Sequence, residues 1–265
     1  MTINILFIGD IIGKPGLDMV RTWLPGLVSK YKTDFIIANG ENASDGKGCT
    51  PAEGKALFEL DVKVITGGNH TWDKPQSQEY LREEKRYIRP FNYPKGTYGN
   101  GYCISETPKG KIAVINLQGR AFMSPIDCPF RAFDYVIKKI ESETKVVLVD
   151  FHAEATAEKL AFTNYVAGKV SAVIGTHTHI QTSDERIFPQ GTAYITDVGM
   201  TGPYESVIGM KTDAAINRFL YQTPQKYQTA INEVHLSAVI LKIDSETGKA
   251  IEIERIFFPE FERKI

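Results

Sequence analysis

Residues 170–179 read VSAVIGTHTH, a short apolar run, then a glycine, then two histidines separated by threonine. The run is too short for a buried helix and suits a strand covered on both faces. The same form recurs along the chain. INILFIG (3–9) runs into Asp10, DFIIANG (34–40) into Glu41 and Asn42, VKVIT (62–66) into Gly67, Gly68, Asn69 and His70, and KVVLVDF (145–151) into His152. Between these runs, residues 17–31, 52–60, 130–143 and 156–168 carry apolar side chains at the three-and-four spacing of amphipathic helices. Pro25 is predicted to kink or divide the first of them. The order β-α-β-α-β thus occurs at the start and again after residue 110, which predicts an α/β chain of layered sheets and helices.

Two further stretches predict antiparallel hairpins: 101–119, turning at Pro108, Lys109 and Gly110, and 234–258, turning between Asp244 and Gly248. They make the sheets mixed and suggest two sheets packed face to face between helices. Residues 1–265 read as one domain. Segment 203–233, with its own helix at 212–222, leaves the alternation and reads either as a small cap beside the site or as a surface excursion of the same domain.

Composition narrows the partners. The chain has 31 basic and 32 acidic residues among 265, a formal net charge of -1. No overall field recommends a nucleic acid or a membrane surface; a local basic patch built by folding would be needed for a polynucleotide. The expected partner is a small molecule, and a homo-oligomer is compatible with the sequence. Cys49, Cys103 and Cys128 are an odd number without C-x-x-C spacing, which points to a reducing cytoplasm. MTINILFIGD lacks a basic leader region, and no apolar run reaches the ~18 residues of a spanning helix.

Each strand end delivers a residue type that binds metals. Singly, Asp10 could cap a helix, Asn42 or Asn69 could occupy a turn, and His152 could be a hydrogen-bonded core histidine. His235, inside the alternating strand VHLSAVIL, lacks a strand-end position and is assigned no site role. Together the set is costly to desolvate unless something pairs with it. Loops at the carboxyl ends of sheet strands converge on one crevice. Mixed nitrogen and oxygen donors without thiolate suit manganese, iron(II), cobalt or zinc. Seven or eight donors are too many for one ion and imply a pair ~3.5–4 Å apart, an arrangement suited to in-line displacement at phosphorus. As extended residues two apart, His177 and His179 would face one side of a strand.

The motifs ILFIGDIIGKPG, NGENASDGKG, GGNHTWD, DFHAEATAEK, GTHTHIQTSDERI and GTAYITDVGMTGP together resemble the calcineurin-like metallophosphoesterases, and more narrowly the bacterial YmdB-type phosphodiesterases, from about residue 4 to about 258. The resemblance implies a β-sandwich of mixed sheets flanked by helices. It implies two divalent metal ions, iron or manganese, one held by Asp10, Glu41, Asn42 and His179 and the other by Glu41, Asn69, His152 and His177. Glu41 would bridge, and each histidine of the pair 177/179 would serve a different ion. The wider superfamily's D-x-H is absent, because Asp10 is followed by Ile11 and Ile12.

The implied activity is hydrolysis of cyclic nucleotides of the 2',3'-cyclic and 3',5'-cyclic AMP type, by a hydroxide bridging the metals. His70 would be the acid for the departing alkoxide or a phosphoryl contact. Asp73 and Asp150 would orient imidazoles or face solvent. The alternatives are a phosphomonoesterase of the same superfamily (a nucleotidase or phosphoprotein phosphatase) and a slow-turnover nucleotide sensor. Lys14 reads as a solvated lysine, and Tyr204 as a candidate stacking surface at the mouth of the site.

Overall fold

Within each apolar run, alternate residues face different layers, and this is why the runs are continuously apolar. Ile3, Ile5 and Phe7 pack with Ile112, Val114, Leu148 and Ile174 in one buried cluster, whereas Leu6 and Ile8 join Val20, Leu24 and Leu57 in another. The computed structural model describes residues 1–261. Its first half contains β1 (Thr2–Ile8), β2 (Asp10–Ile11), α1 (Gly13–Tyr31), β3 (Phe35–Asn39), α2 (Pro51–Glu59), β4 (Val64–Thr66), α3 (Pro75–Glu83), β5 (Tyr87–Ile88), β6 (Tyr102–Thr107) and β7 (Gly110–Gln118). Then follow α4 (Pro129–Ile140), β8 (Val146–His152), α5 (Thr156–Val166), β9 (Ala172–Thr176), β10 (Arg186–Ile187), β11 (Ala193–Ile195), β12 (Met200–Pro203), α6 (Thr212–Tyr221), β13 (Val234–Asp244) and β14 (Ala250–Phe258).

The strands form two mixed sheets. One runs β2-β12-β13-β1-β3-β4-β5, with β14 added on β13, and the other runs β10-β11-β9-β8-β7-β6. The β1/β3/β4 and β7/β8/β9 pairings are parallel, as the crossover helices require, while β6/β7 and β13/β14 are the two expected hairpins. One apolar cluster fills the space between the sheets. A second lies under α1, α2 and α3, and a third joins β7 and β8 to α4 and α5 through Phe133, Val136, Phe151 and Phe162. The result is the helix, sheet, sheet, helix layering read from the sequence.

Pro25 does not divide α1, which continues from Gly13 to Tyr31. Pro25 and Arg21, whose carbonyl loses its intrahelical donor, are both exposed, so water can satisfy that carbonyl. No helix among the described residues is long and apolar enough to cross a membrane.

Candidate metal centre

Asp10, Glu41, Asn69, His152 and His177 all stand at or just beyond the carboxyl ends of parallel strands, so their side chains meet at one edge of the sandwich. Two groups of three have donor atoms within 4.8 Å of one another: Glu41, His152 and His177, and Asp10, Glu41 and His179. Glu41 belongs to both. Asn69 joins the first, its Oδ1 lying 2.9 Å from His152 Nε2, and Asn42 lies beside the second, its side-chain N–H donating to Glu41 Oε1 at 3.0 Å and lying 3.3 Å from His179 Nε2. All seven residues singled out as metal ligands are thus brought together. His70 lies at their rim: its backbone N–H donates to Glu41 Oε2 at 3.0 Å, while its side chain remains 41 % exposed.

The chain approaches closely where it must. A Cβ built on Gly68 would fall 2.2 Å from Glu41 Oε2 and 2.4 Å from His152 Nε2, so only glycine leaves room for both groups. The histidine pair departs from the extended geometry expected of it. β9 ends at Thr176, and His177 and His179 have φ of +102° and +66°. Their side chains are therefore aimed by the bent backbone beyond β9 and not by strand alternation. What holds this backbone is Asp197, whose carboxylate accepts the Thr178 and Gly199 N–H groups at 2.9 Å each, and Lys159 from α5, which donates to Asp197 and to the Thr176 carbonyl at 2.8 Å each. Both side chains of this ion pair are fully buried.

Hydrogen bonds behind the imidazoles select which nitrogen faces the centre. His179 Nδ1 donates to the Ile208 carbonyl (2.9 Å), leaving Nε2 toward Asn42 and Asp10. His152 Nδ1 donates to Thr176 Oγ1 (2.9 Å), and that hydroxyl donates in turn to Asp150 (2.7 Å). Asp150 thus orients an imidazole through a threonine, and it also accepts from Asn39 and Thr66. Asp73 accepts from His70 Nδ1 at 3.0 Å.

The electrostatics are those of a site that needs positive charge. Burial pushes the Asp10 carboxyl well above its ordinary range; the His152 charge opposes this, while Glu41, Asp197 and Asp150 add to it. Asp10 Oδ1 is buried with no hydrogen-bond partner. Burial would also raise Glu41, but the charge and hydrogen bond of His152 outweigh it and hold Glu41 below the usual carboxylate range. Burial alone would depress His152, yet Glu41, Asp10 and Asp150 lift it to about 9. Burial and the neighbouring His152 charge push His177 down to about 3, and burial lowers His179. A proton on His152 therefore supplies the positive charge that the carboxylates demand. An orphaned buried oxygen, a shared carboxylate and nitrogen and oxygen donors fit divalent cations.

A cleft of about 540 Å³ opens from the centre, lined by Asn42, Lys47, His70 and His179 on one side and by Ile208, Met210, Arg218, Phe219 and Tyr227 on the other. Its far wall comes from segment 203–233. Tyr204 does not line it: the ring packs among His235, Phe257 and Phe261, with its hydroxyl bonded to Met200 and Ser237. His235 belongs to that cluster and donates to the Pro259 carbonyl. Lys14 pairs with Asp18 on the exposed face of α1. Lys159 and Asp197 lie inside the motifs DFHAEATAEK and GTAYITDVGMTGP but are assigned no role there, and Tyr227 carries no sequence signal. Tyr227 follows no strand, and Lys159 looks like an ordinary helix lysine until its burial is seen.

The chain is similar along almost its whole length to known proteins. The chain is 48 % identical over 253 residues to a 2',3'-cyclic-nucleotide 2'-phosphodiesterase from Bacillus subtilis (strain 168), covering 96 % of each chain. A hypothetical protein from Thermus thermophilus superposes with a TM-score of 0.90 at 41 % identity, covering 97 % of this chain and 99 % of that one. A novel phosphatase from Mycoplasma pneumoniae superposes with a TM-score of 0.92 at 36 % identity, covering 97 % and 94 %. Residues 6–256 match the family described as YmdB-like protein, and the chain belongs to that family.

Proposed function

We propose that this protein is a metal-dependent phosphodiesterase that hydrolyses cyclic nucleotides, of the 2',3'-cyclic and 3',5'-cyclic AMP type, in the cytoplasm. The observation that carries the reading is the pair of donor groups sharing Glu41, with the orphaned Asp10 oxygen between buried neighbours. The similar Bacillus subtilis enzyme is named for the 2',3'-cyclic substrate. Asp10, Asn42 and His179 would hold one divalent ion and Asn69, His152 and His177 a second, with Glu41 common to both and iron or manganese the expected metal. When bound, the ions supply Lewis-acid charge at the phosphoryl group and acidify water for in-line attack.

The remaining work falls to the chain. His70 stands at the rim with Nδ1 donating to Asp73, so it would act as the doubly protonated ring, with Nε2–H passing its proton to the alkoxide as the ring P–O bond breaks. Lys47, 3.5 Å from Asp73, places a second cation beside the same cleft. The whole chain acts as one catalytic domain, with segment 203–233 as the outer wall of its cleft.

The test combines composition and turnover. Protein purified without added metal should carry two ions per chain by elemental analysis and should cleave cyclic nucleotides in preference to phosphomonoesters. His70→Ala should keep the metals and lose ~10²–10⁴ in kcat. A preference for monoesters would favour the phosphatase reading, and unchanged kcat would remove His70 from the chemistry.

A further inference from the structure

The cleft beside the centre has a composition that phosphate chemistry alone does not require. A phosphodiester needs charge and hydrogen-bond donors, and Lys47 and His70 already supply these beside the centre. The opposite wall is apolar and aromatic. Ala215, Arg218 and Phe219 occupy positions i, i+3 and i+4 of α6 and so share the helix face turned to the cleft. Ala215 is small and buried, leaving space, while Phe219 is 72 % exposed at the opening. An uncovered phenylalanine at the mouth of a cleft is apolar surface waiting for a flat partner.

Tyr227 lines the same cleft and is fixed in place. Its ring lies against Gly46, whose backbone has φ of +79° and where a Cβ would fall 2.2 Å from a ring carbon. The loop that carries Gly46 also carries Asn42 and Lys47, so the aromatic wall and the phosphate end of the cleft are tied to one backbone. Arg218 pairs with no carboxylate among the described residues. A volume of about 540 Å³ lies within the ~300–1,000 Å³ of small-ligand sites.

We infer that this cleft seats the nucleobase of the substrate against the aromatic rings of Phe219 and Tyr227, with the Arg218 guanidinium donating to acceptors on the base edge. The inference rests on the cyclic-nucleotide reading and names the part of the molecule that the metal centre cannot recognise. Aromatic faces and a guanidinium are the groups that bind bases of any sequence, through stacking and cation-π contact. Substrate selection is thereby divided: the centre recognises the diester, and α6 with Tyr227 recognises what the ribose carries.

Two substrates separate the parts. Adenosine 2',3'-cyclic phosphate has a base, and methyl ribofuranoside 2,3-cyclic phosphate has the same diester and sugar without one. Phe219→Ala, at an exposed position where folding is not at stake, should raise KM for the first by about fivefold or more at unchanged kcat. It should leave kcat/KM for the second within twofold, and Arg218→Ala should do the same. Equal losses on both substrates, or no loss on either, would overturn the cleft assignment. Saturation-transfer NMR of adenosine on the metal-free chain decides the point independently of catalysis. The base protons H2 and H8 should receive the strongest saturation, and Phe219→Ala should abolish it. Absence of saturation in the unmodified chain, or a changed oligomeric state of Phe219→Ala with base binding intact, would count against the assignment. Turnover of neither diester, with base saturation present, would reject the enzymatic reading and leave the base cleft standing.

Discussion

Replacing Lys159 by methionine isolates the device that aims the two histidines. The side chain is fully buried, and its ammonium makes two bonds of 2.8 Å, to Asp197 and to the Thr176 carbonyl. Methionine keeps most of the volume and removes the charge, so the loss is electrostatic and not a cavity. Asp197 would then be a buried carboxylate supported only by the Thr178 and Gly199 N–H groups. Breaking a buried pair from one side costs about 3–5 kcal/mol. For a chain of this size that corresponds to a fall in Tm of roughly 6–20 °C.

The same change should reach the metals. Two non-glycine residues with positive φ carry about 1–2 kcal/mol of strain each, and the Lys159 and Asp197 bonds on either side of His177 oppose its release. If relaxation of the loop recovers as little as ~1.4 kcal/mol, metal affinity falls about tenfold. Differential scanning calorimetry with metal titration of the stripped protein reads both effects. Adding D197N to Lys159→Met removes the uncompensated charge and should restore part of the Tm. A Tm within about 2 °C of the parent, below the range expected for a broken buried pair, would refute the buried-pair argument. A large fall in Tm with unchanged metal affinity would reduce Lys159 to a core contact with no positioning role.

Gly68→Ala should fold but bind metal poorly, because its methyl would fall on Glu41 Oε2 and His152 Nε2; overpacking of this kind costs about 1–3 kcal/mol, and full metal content would contradict it. Between pH ~6.5 and about 9, stability of the metal-stripped chain should decline with rising pH. His152 binds its proton more tightly folded (about 9) than unfolded (about 6.5), so its contribution is complete below pH ~6.5 and is lost as pH passes through about 9. That contribution is on the order of 3 kcal/mol. Urea melts should show the slope in stripped protein and not in metal-loaded protein, where His152 must be neutral; a flat profile in the stripped chain would remove His152 as the internal counter-charge. His177→Ala and His179→Ala should each deplete one ion first, since their donors fall in different groups, and equal loss of both ions from either variant would argue against two separable sites.

Much of the architecture is legible in the sequence because it follows from periodicity. An apolar run of five to seven residues that feeds two cores must be a doubly covered strand, and the positions of β1, β3, β4, β8 and β9 agree with the runs to within two residues. The short strands β2, β10, β11 and β12 are not legible as strands, because two to four residues hold too little pattern and their pairing is set by neighbours far away in sequence. The donor inventory is legible for a related reason. Strand ends are where parallel sheets present loops, so a polar residue after each run is a positional signal and not only a compositional one. Tyr204 shows the reverse: a tyrosine after a strand reads as a mouth residue, while the aromatic rings that cover it come from β13 and from residues 257–261.

The histidine pair shows where such reasoning stops. Spacing alone places His177 and His179 on one side of an extended strand, and the structure ends that strand one residue before His177. Their assignment to different donor groups stands on other grounds. His177 approaches His152, with Nδ1 3.0 Å from its Nε2, and His179 turns toward Asp10 because the Ile208 carbonyl captures its Nδ1. A positive φ at histidine is not encoded by the histidine. It is imposed here by a lysine eighteen residues upstream of His177, an aspartate twenty residues downstream of it, and a carbonyl from the cleft wall. Since Ile208 lies in that wall, binding in the cleft and the orientation of His179 share a backbone segment. A ligand that displaced residues 207–210 would therefore also disturb His179, and a deletion shortening segment 203–233 should weaken metal binding as well as substrate selection.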